Sequence, residues 1–269
     1  MFSKRIILTG TGNTRTLSNL TNKDGLHIKN NLLIRSDALH SITEQDKEIL
    51  KNEYNLKQVF DLRNVLEAEI KPDQIDVKIH HLPVLSKETI GVTKKGDDNA
   101  DFKDFLNAVK EKEEPRGKNK FMQNVYTQVV VAESASYAYK TFLHELLKAE
   151  GASLWHCSAG KDRAGFATIL VLYLLDFDME TIINDYLGTN YYYTPKVEKM
   201  IDYYGVEYTD TLWSVFGVEK EYLDVLFNVI NERYGSFDNY LLKELEIDNN
   251  FKQEFKNKYL EVWFMKIVD

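Results

Sequence analysis

One decapeptide, His156-Cys157-Ser158-Ala159-Gly160-Lys161-Asp162-Arg163-Ala164-Gly165, limits what this chain can be, because of what stands on either side of it. Ala152-Ser153-Leu154-Trp155 before it reads as a short buried strand, and Phe166 to Leu175 after it as an almost wholly apolar helix. A tight loop of small residues that feeds a helix start presents backbone N–H groups and the positive end of the helix dipole to one point in space. That point suits a phosphate-like anion. Ser158, Ala159 and Gly160 supply the smallness, and the same field favours a thiolate at Cys157, as at other helix-terminal cysteines. Arg163 follows at a spacing that can bring its guanidinium back over the anion, to grip two oxygens at once in a way that a lysine cannot.

This arrangement fits phosphoryl transfer to sulfur. Cys157 attacks in line, the amides of Ser158, Ala159, Gly160, Lys161 and Ala164 together with Arg163 hold the transferring oxygens, and water later cleaves the phosphocysteine. Asp162 is the carboxylic acid nearest the chemistry in sequence and is expected to protonate the leaving oxygen. Lys161 can hold a second substrate phosphate or screen the site. His156 precedes the nucleophile on the strand and is expected to orient the loop through hydrogen bonds. Such chemistry needs no metal and no cofactor, and the six histidines show no metal-ligand spacing.

Around this loop the chain alternates strand-like and helix-like segments. Asn22 to Gly25 reads as a turn, Leu32-Leu33-Ile34 as a strand, Thr43 to Tyr54 as a helix, Gln58-Val59-Phe60 and Val77 to Leu82 as strands, and Phe121 to Glu150 as helical. That is the rhythm of an α/β sheet. The rest is mainly helical, with segments at Met179 to Leu187, Glu219 to Tyr234, Phe237 to Leu245 and Asn250 to Trp263. No composition break divides the 269 residues, so one domain is expected over 1–269. The charged stretch 87–120 is read as an excursion, partly helical and mobile: either a lid over the site or a solvated insertion. Asp61 and Arg63 follow the strand ending at Phe60, at the carboxyl edge where α/β sheets bind ligands, and are candidates to face the loop. The alternative is an Arg63–Glu67 pair at a helix start.

The run His156 to Gly165 resembles the HCxxGKDRxG signature of the atypical bacterial protein tyrosine phosphatases, a group that includes triple-specificity enzymes. Asn13 to Leu17, Arg35 to Leu39, Asp61 to Arg63, Asp185-Tyr186 and Arg233 to Leu241 resemble that family's further landmarks, in order, so the likeness spans nearly the whole chain. It implies a Cys-based phosphatase fold, with a central, mostly parallel sheet flanked by helices, a helical lid-like insertion and a helical C-terminal part. It also implies a metal-free, cofactor-free two-step mechanism on phosphotyrosine, extending to phosphoserine, phosphothreonine and phosphoinositides. The aspartate inside the loop is that family's general acid, which matches Asp162, and the lysine beside it, here Lys161, goes with a wide substrate range. One position departs. Where the family carries a threonine or serine whose hydroxyl can bond the sulfur, this chain has Ala164, and the loss of such a bond, about 1–3 kcal/mol, is expected to slow phosphocysteine hydrolysis. A weakened relative that recognises phosphate without efficient turnover is the alternative function.

Composition narrows the partners. With 34 basic and 42 acidic residues the formal charge is −8, which argues against nucleic acid and against broad adhesion to anionic membranes, so an anion site must be local. The expected partners are a phosphorylated protein or phosphoinositide and, in the loop, a phosphate or sulfate ion. Cys157 is the single cysteine, so no internal disulfide forms and either a reducing or an oxidising compartment is compatible. The longest apolar run, Ala164 to Leu175, is short of a membrane span, and Ile6-Ile7-Leu8 is too short for a secretory signal. Location stays open between the cytosol and, after removal of a signal, the outside.

Overall fold

A computed structural model describes residues 2–85, 99–111 and 118–262. Six strands form one sheet in the spatial order β1 (Lys4–Arg5), β2 (Arg15–Thr16), β4 (Leu33–Ser36), β7 (Ala152–His156), β5 (Leu56–Asp61), β6 (Lys78–His81). The last four run parallel, while β2 is antiparallel to β4 and β1 to β2. The sheet is therefore mixed and mostly parallel, an α/β sheet as the rhythm of segments indicated and mostly parallel as the family resemblance implied. A separate antiparallel pair joins β3 (His27–Ile28) to β8 (Leu260–Glu261).

All five residues of β7 are buried, as a strand between two parallel neighbours should be. Its alternation still sorts the two faces: Ala152 and Leu154 enter a smaller core with Ile34, Leu56 and Val59, while Trp155 enters the larger one. The next helix, α6 (Arg163–Leu174), is buried at every residue but Tyr173, the signature of a helix with no solvent face. Trp155 ties strand to helix, its indole N–H donating to Ala164 O at 3.2 Å and Thr168 Oγ1 at 3.0 Å. In register, Ser36 and Asp61 flank His156, so the chain leaves three adjacent strands at one carboxyl edge, the first of them at Asp37 and the second at Cys157.

Three elements differ from the sequence reading. The segment expected to be helical over Phe121 to Glu150 is two helices, α4 (Lys120–Val131) and α5 (Glu133–Lys148), divided at Ala132, whose backbone is extended so that both can turn apolar faces to the core. The helix starting at Met179 does not stop at Leu187 but runs to Tyr204 as α7. Gly188 does not end it: a Cβ there would stand 2.6 Å from the ring of Phe2, so the glycine serves a close approach. Pro195 lies farther along α7 without terminating it. The last helix, α11 (Asn249–Tyr259), ends before Trp263 because Leu260 turns extended and pairs with Ile28.

Between β6 and α4, the described part of the expected excursion contains α3 (Asn99–Lys110). Leu106 of α3 is fully buried beside Val197, Tyr208 and Leu212, the last from α8 (Thr209–Phe216), and Tyr208 donates to Asn107 Oδ1 at 2.5 Å. Residues 87–98 and 112–117 of the stretch expected to be a lid lie outside the described residues. The helices α9 (Lys220–Tyr234) and α10 (Phe237–Lys243) fall where the apolar spacing placed them. No described helix is long and apolar enough to cross a membrane.

Candidate active site

The loop from Cys157 to Asp162 turns tightly because Gly160 takes φ +67, and a Cβ there would meet Ser36 O at 2.4 Å. Only glycine satisfies both demands. Three successive carbonyls of the loop are tied back into the protein. Ser158 O accepts from Ala38 N at 3.3 Å, Ala159 O from Asn13 Nδ2 at 3.1 Å and from Tyr193 Oη at 2.8 Å, and Gly160 O from Asn13 Nδ2 at 3.2 Å and Arg35 Nη2 at 2.7 Å. Among the described residues, none of the amides from Ser158 to Arg163 donates to a protein acceptor. Carbonyls bonded away on one side and amides left for another ligand make an anion cradle. Cys157 is 2 % exposed at the base of this loop, whereas Ser158 beside it is exposed.

Arg163 opens α6, and its position is fixed by a residue the sequence reading did not select for this part. Its Nη1 donates to Glu67 Oε2 at 2.6 Å and its Nη2 to Glu67 Oε1 at 3.0 Å. Glu67 belongs to a capping box at the start of α2 (Val65–Ile70): Asn64 Oδ1 accepts from Glu67 N, and Glu67 Oε2 accepts from Asn64 N, each at 2.9 Å. The Ser158 hydroxyl donates to the same carboxylate. Burial opposes the charge of Glu67, but Arg163, Ser158 and the Asn64 amide hold its carboxyl below the usual range. Burial likewise works against the charge of Arg163, and Cys157 and then Glu67 outweigh it and raise its hold on the proton. The end-on fork to Glu67 leaves Nε and further N–H bonds of the planar guanidinium for an anion.

Asp162 stands at the N-cap of α6 without capping it. Its Oδ1 instead accepts from Tyr126 Oη at 2.6 Å, and that oxygen lies 2.7 Å from Tyr186 Oη. Burial, and then Asp162, raise the Tyr126 phenol well above 10, so it remains a donor. Lys161 points inward. It is 4 % exposed, donating to Val215 O in the last turn of α8 at 2.7 Å and to Gly217 O just past its end at 3.1 Å, with Asp162 Oδ2 at 3.5 Å. In this geometry its ammonium ties the loop to α8, and the second substrate phosphate expected on it finds no exposed charge there. Ala164 is fully buried, and the hydroxyls of Tyr139 and Ser158 are engaged by Arg163 O and Glu67 rather than by the sulfur.

Asp61 and Arg63 lie at the root of the loop rather than at its mouth. They are 3 % and 2 % exposed, Arg63 Nη2 bonds Asp61 Oδ2 at 2.7 Å and Asp73 Oδ1 at 2.9 Å, and Asp73 Oδ2 lies 2.8 Å from His156 Nε2. Neither the expected approach to substrate nor the alternative Arg63–Glu67 pair is formed, because Arg63 is committed to Asp61 and Asp73, and Glu67 to Arg163. Asp61, Asp73 and His156 bring ligand atoms within 4.8 Å of one another, but the cation that holds these carboxylates together is Arg63. His156 thus orients the strand end, with Nδ1 3.2 Å from Cys157 O.

On the other flank, Arg35 Nη1 reaches Asp185 Oδ2 at 2.9 Å, and Arg15 donates to Asp185 O at 3.1 Å and Thr189 Oγ1 at 3.0 Å. Burial and then Arg35 push the Arg15 guanidinium down to about 9, so it stays charged at neutral pH. Burial opposes the charge on Asp185, yet Arg15 and Arg35 keep its carboxyl below the usual range. Asp37 receives the amides of Gly12 and Asn13 at 2.9 and 3.0 Å, placing Asn13 against the loop carbonyls. Glu67, Tyr126, Asp73 and Tyr193 were missed from sequence as parts of the site. For Glu67 a signal existed in Asn64-x-x-Glu67, which marks a capping box directly after Arg63; the others meet the loop only through tertiary contact.

The sequence profile of the tyrosine phosphatase family matches residues 6–261. The triple specificity protein phosphatase PtpB of Mycobacterium tuberculosis is 26 % identical over 242 residues, which cover 78 % of this chain and 84 % of that one. A putative tyrosine-protein phosphatase of Cupriavidus necator is 35 % identical over 99 residues, 35 % of this chain and 36 % of that one. A match of this extent, on a chain whose one cysteine opens an amide-lined loop closed by an arginine, makes it a member of the tyrosine phosphatase family, the Cys-based phosphomonoester hydrolases.

Proposed function

We propose that the protein hydrolyses phosphotyrosine in polypeptides, and also phosphoserine, phosphothreonine and phosphoinositides, through a phosphocysteine on Cys157. The Cys157 sulfur forms a bond to phosphorus as the ester P–O bond breaks, and Asp162 gives its proton to the departing oxygen. Water then attacks phosphorus, Asp162 takes back a proton, and the P–S bond breaks to release inorganic phosphate. The amides of Ser158, Ala159, Gly160, Lys161 and Ala164 and the free edge of Arg163 carry the equatorial oxygens in both steps. Asp61 and Arg63 serve through His156, at the loop's root. The wider substrate range rests on the likeness to the relative named for triple specificity.

The observation that carries this reading is the polarity of the loop: three carbonyls bonded away from amides that have no protein acceptor among the described residues. Turnover of para-nitrophenyl phosphate tests it. Activity is expected to vanish in Cys157→Ser, to fall by about 100- to 1000-fold in Arg163→Lys, to be inhibited by vanadate and to withstand chelators. Activity retained in Cys157→Ser rules the mechanism out. The buried Ala164, which offers the sulfur no hydroxyl, favours a second reading as a phosphate-recognition module; one rapid equivalent of nitrophenol followed by no turnover supports that instead.

A further inference from the structure

Beside the phosphate loop lies a groove of about 660 Å³ with a charge unlike the rest of the chain. Arg5, Lys196 and Lys199 line it, and no carboxylate does, although acidic residues outnumber basic ones by 42 to 34. None of these three cations forms an ion pair among the described residues. The spacing of Tyr192, Lys196, Lys199 and Tyr203 sets them on one face of α7, so the helix presents two ammonium groups between two aromatic rings. The groove shares a wall with the loop. Gly12 lines it, and Asn13 next to it bonds Ala159 O and Gly160 O. Tyr193, which bonds Ala159 O, carries the Lys196 ammonium 5.4 Å from its ring centre.

We propose that this groove binds the acidic flank of a phosphorylated polypeptide: with the phosphoester in the loop, a neighbouring carboxylate or second phosphorylated side chain enters between Lys196, Lys199 and Arg5. The inference rests on the phosphatase reading above and names a substrate class for it. Tyr193 reaches from one to the other, with its hydroxyl on Ala159 O and the Lys196 ammonium 5.4 Å from its ring centre, a span that an extended peptide advancing roughly 3.3 Å per residue covers in a few residues. The aromatic walls and the concave shape suit a side chain, whereas a bilayer surface is flat and, if anionic, is repelled by a chain of charge −8. The groove also supplies the exposed positive charge that the inward-turned Lys161 does not.

Affinity measured on Cys157→Ser protein reads the groove without turnover. A phosphotyrosyl peptide flanked by aspartates is expected to bind about tenfold more tightly than its alanine-flanked counterpart. Lys196→Ala with Lys199→Ala should abolish that preference, while Lys51→Ala with Lys243→Ala, the same change of net charge elsewhere, should keep it. No preference in the parent, or a preference that survives loss of Lys196 and Lys199, overturns the proposal. So does an effect of the groove substitutions confined to phosphoinositide vesicles, which would make the site one for lipid. Groove-dependent binding in a protein whose native form does not turn over para-nitrophenyl phosphate upholds the groove and strikes the hydrolase reading alone.

Discussion

The two flanks of the phosphate loop are built from the same kinds of side chain, differently paired. On the β5 side, Arg63 serves two carboxylates, Asp61 and Asp73, and Arg163 is gripped by a third, Glu67. On the β4 side, Arg15 and Arg35 share the one carboxylate of Asp185, and Arg35 spends its remaining reach on Gly160 O. The first flank positions: it fixes His156 and the plane of Arg163. The second holds the cradle from behind: Arg35 reaches Gly160 O, and Asp37, a second carboxylate on this side, accepts the Gly12 and Asn13 amides and so sets Asn13 against the loop. An acidic protein thus keeps guanidinium groups beside its anion loop by burying them against carboxylates beneath it.

If this contrast holds, the largest effect belongs to Asp185→Asn, which strands two buried guanidinium groups. A loss of about 3–5 kcal/mol of stability is expected by denaturant melting, against about 1–3 kcal/mol for Asp73→Asn, where Asp61 remains to Arg63. Equal losses would break the comparison. Acid sharpens it. A carboxyl held below its unfolded value stabilises above that value, near pH 4, and its contribution disappears as pH falls through the folded value. Asp185→Asn should therefore flatten the loss of stability below about pH 4, as followed by thermal melts across pH.

Next in size is Glu67→Gln, which keeps a side chain able to cap α2 but frees Arg163. We expect kcat on an aryl phosphate to fall about ten- to hundredfold with the fold intact by circular dichroism. An unchanged kcat would show that the β5 flank does not position the guanidinium. Tyr126→Phe removes the donor to Asp162 and should lower kcat about tenfold with KM little changed, measured by steady-state kinetics; a rise in KM alone would assign Tyr126 to binding. The smallest effect is expected from Ala164→Thr. A hydroxyl for the sulfur should speed phosphocysteine hydrolysis by roughly threefold, seen in rapid-quench kinetics, because crowding at a fully buried position offsets part of the gain. A slower second step in that variant would remove the role assigned to the missing hydroxyl.

Much of this architecture could be read from local pattern. The strand before Cys157 and the helix after Arg163 follow from unbroken apolar runs, and the helices near the C-terminus from side-chain periodicity, both of which burial imposes on a chain. The split at Ala132 and the length of α7 did not follow, because Gly188 looks like a helix end until Phe2 is seen against it. β1 and β2, two residues each, carry too little pattern to be seen before their partners are in place.

The order of residues alone determined that Cys157 and Arg163 share one loop, since their spacing, the small residues between them and the helix behind them are all local. Which carboxylate holds Arg163, which way Lys161 turns, and which partners each buried arginine takes were decided only when strands distant in sequence came together. The physical reason is that a hydrogen bond or an ion pair depends on distance in space, and for Arg163 and Glu67 that distance is set by the pairing of β5 with β7.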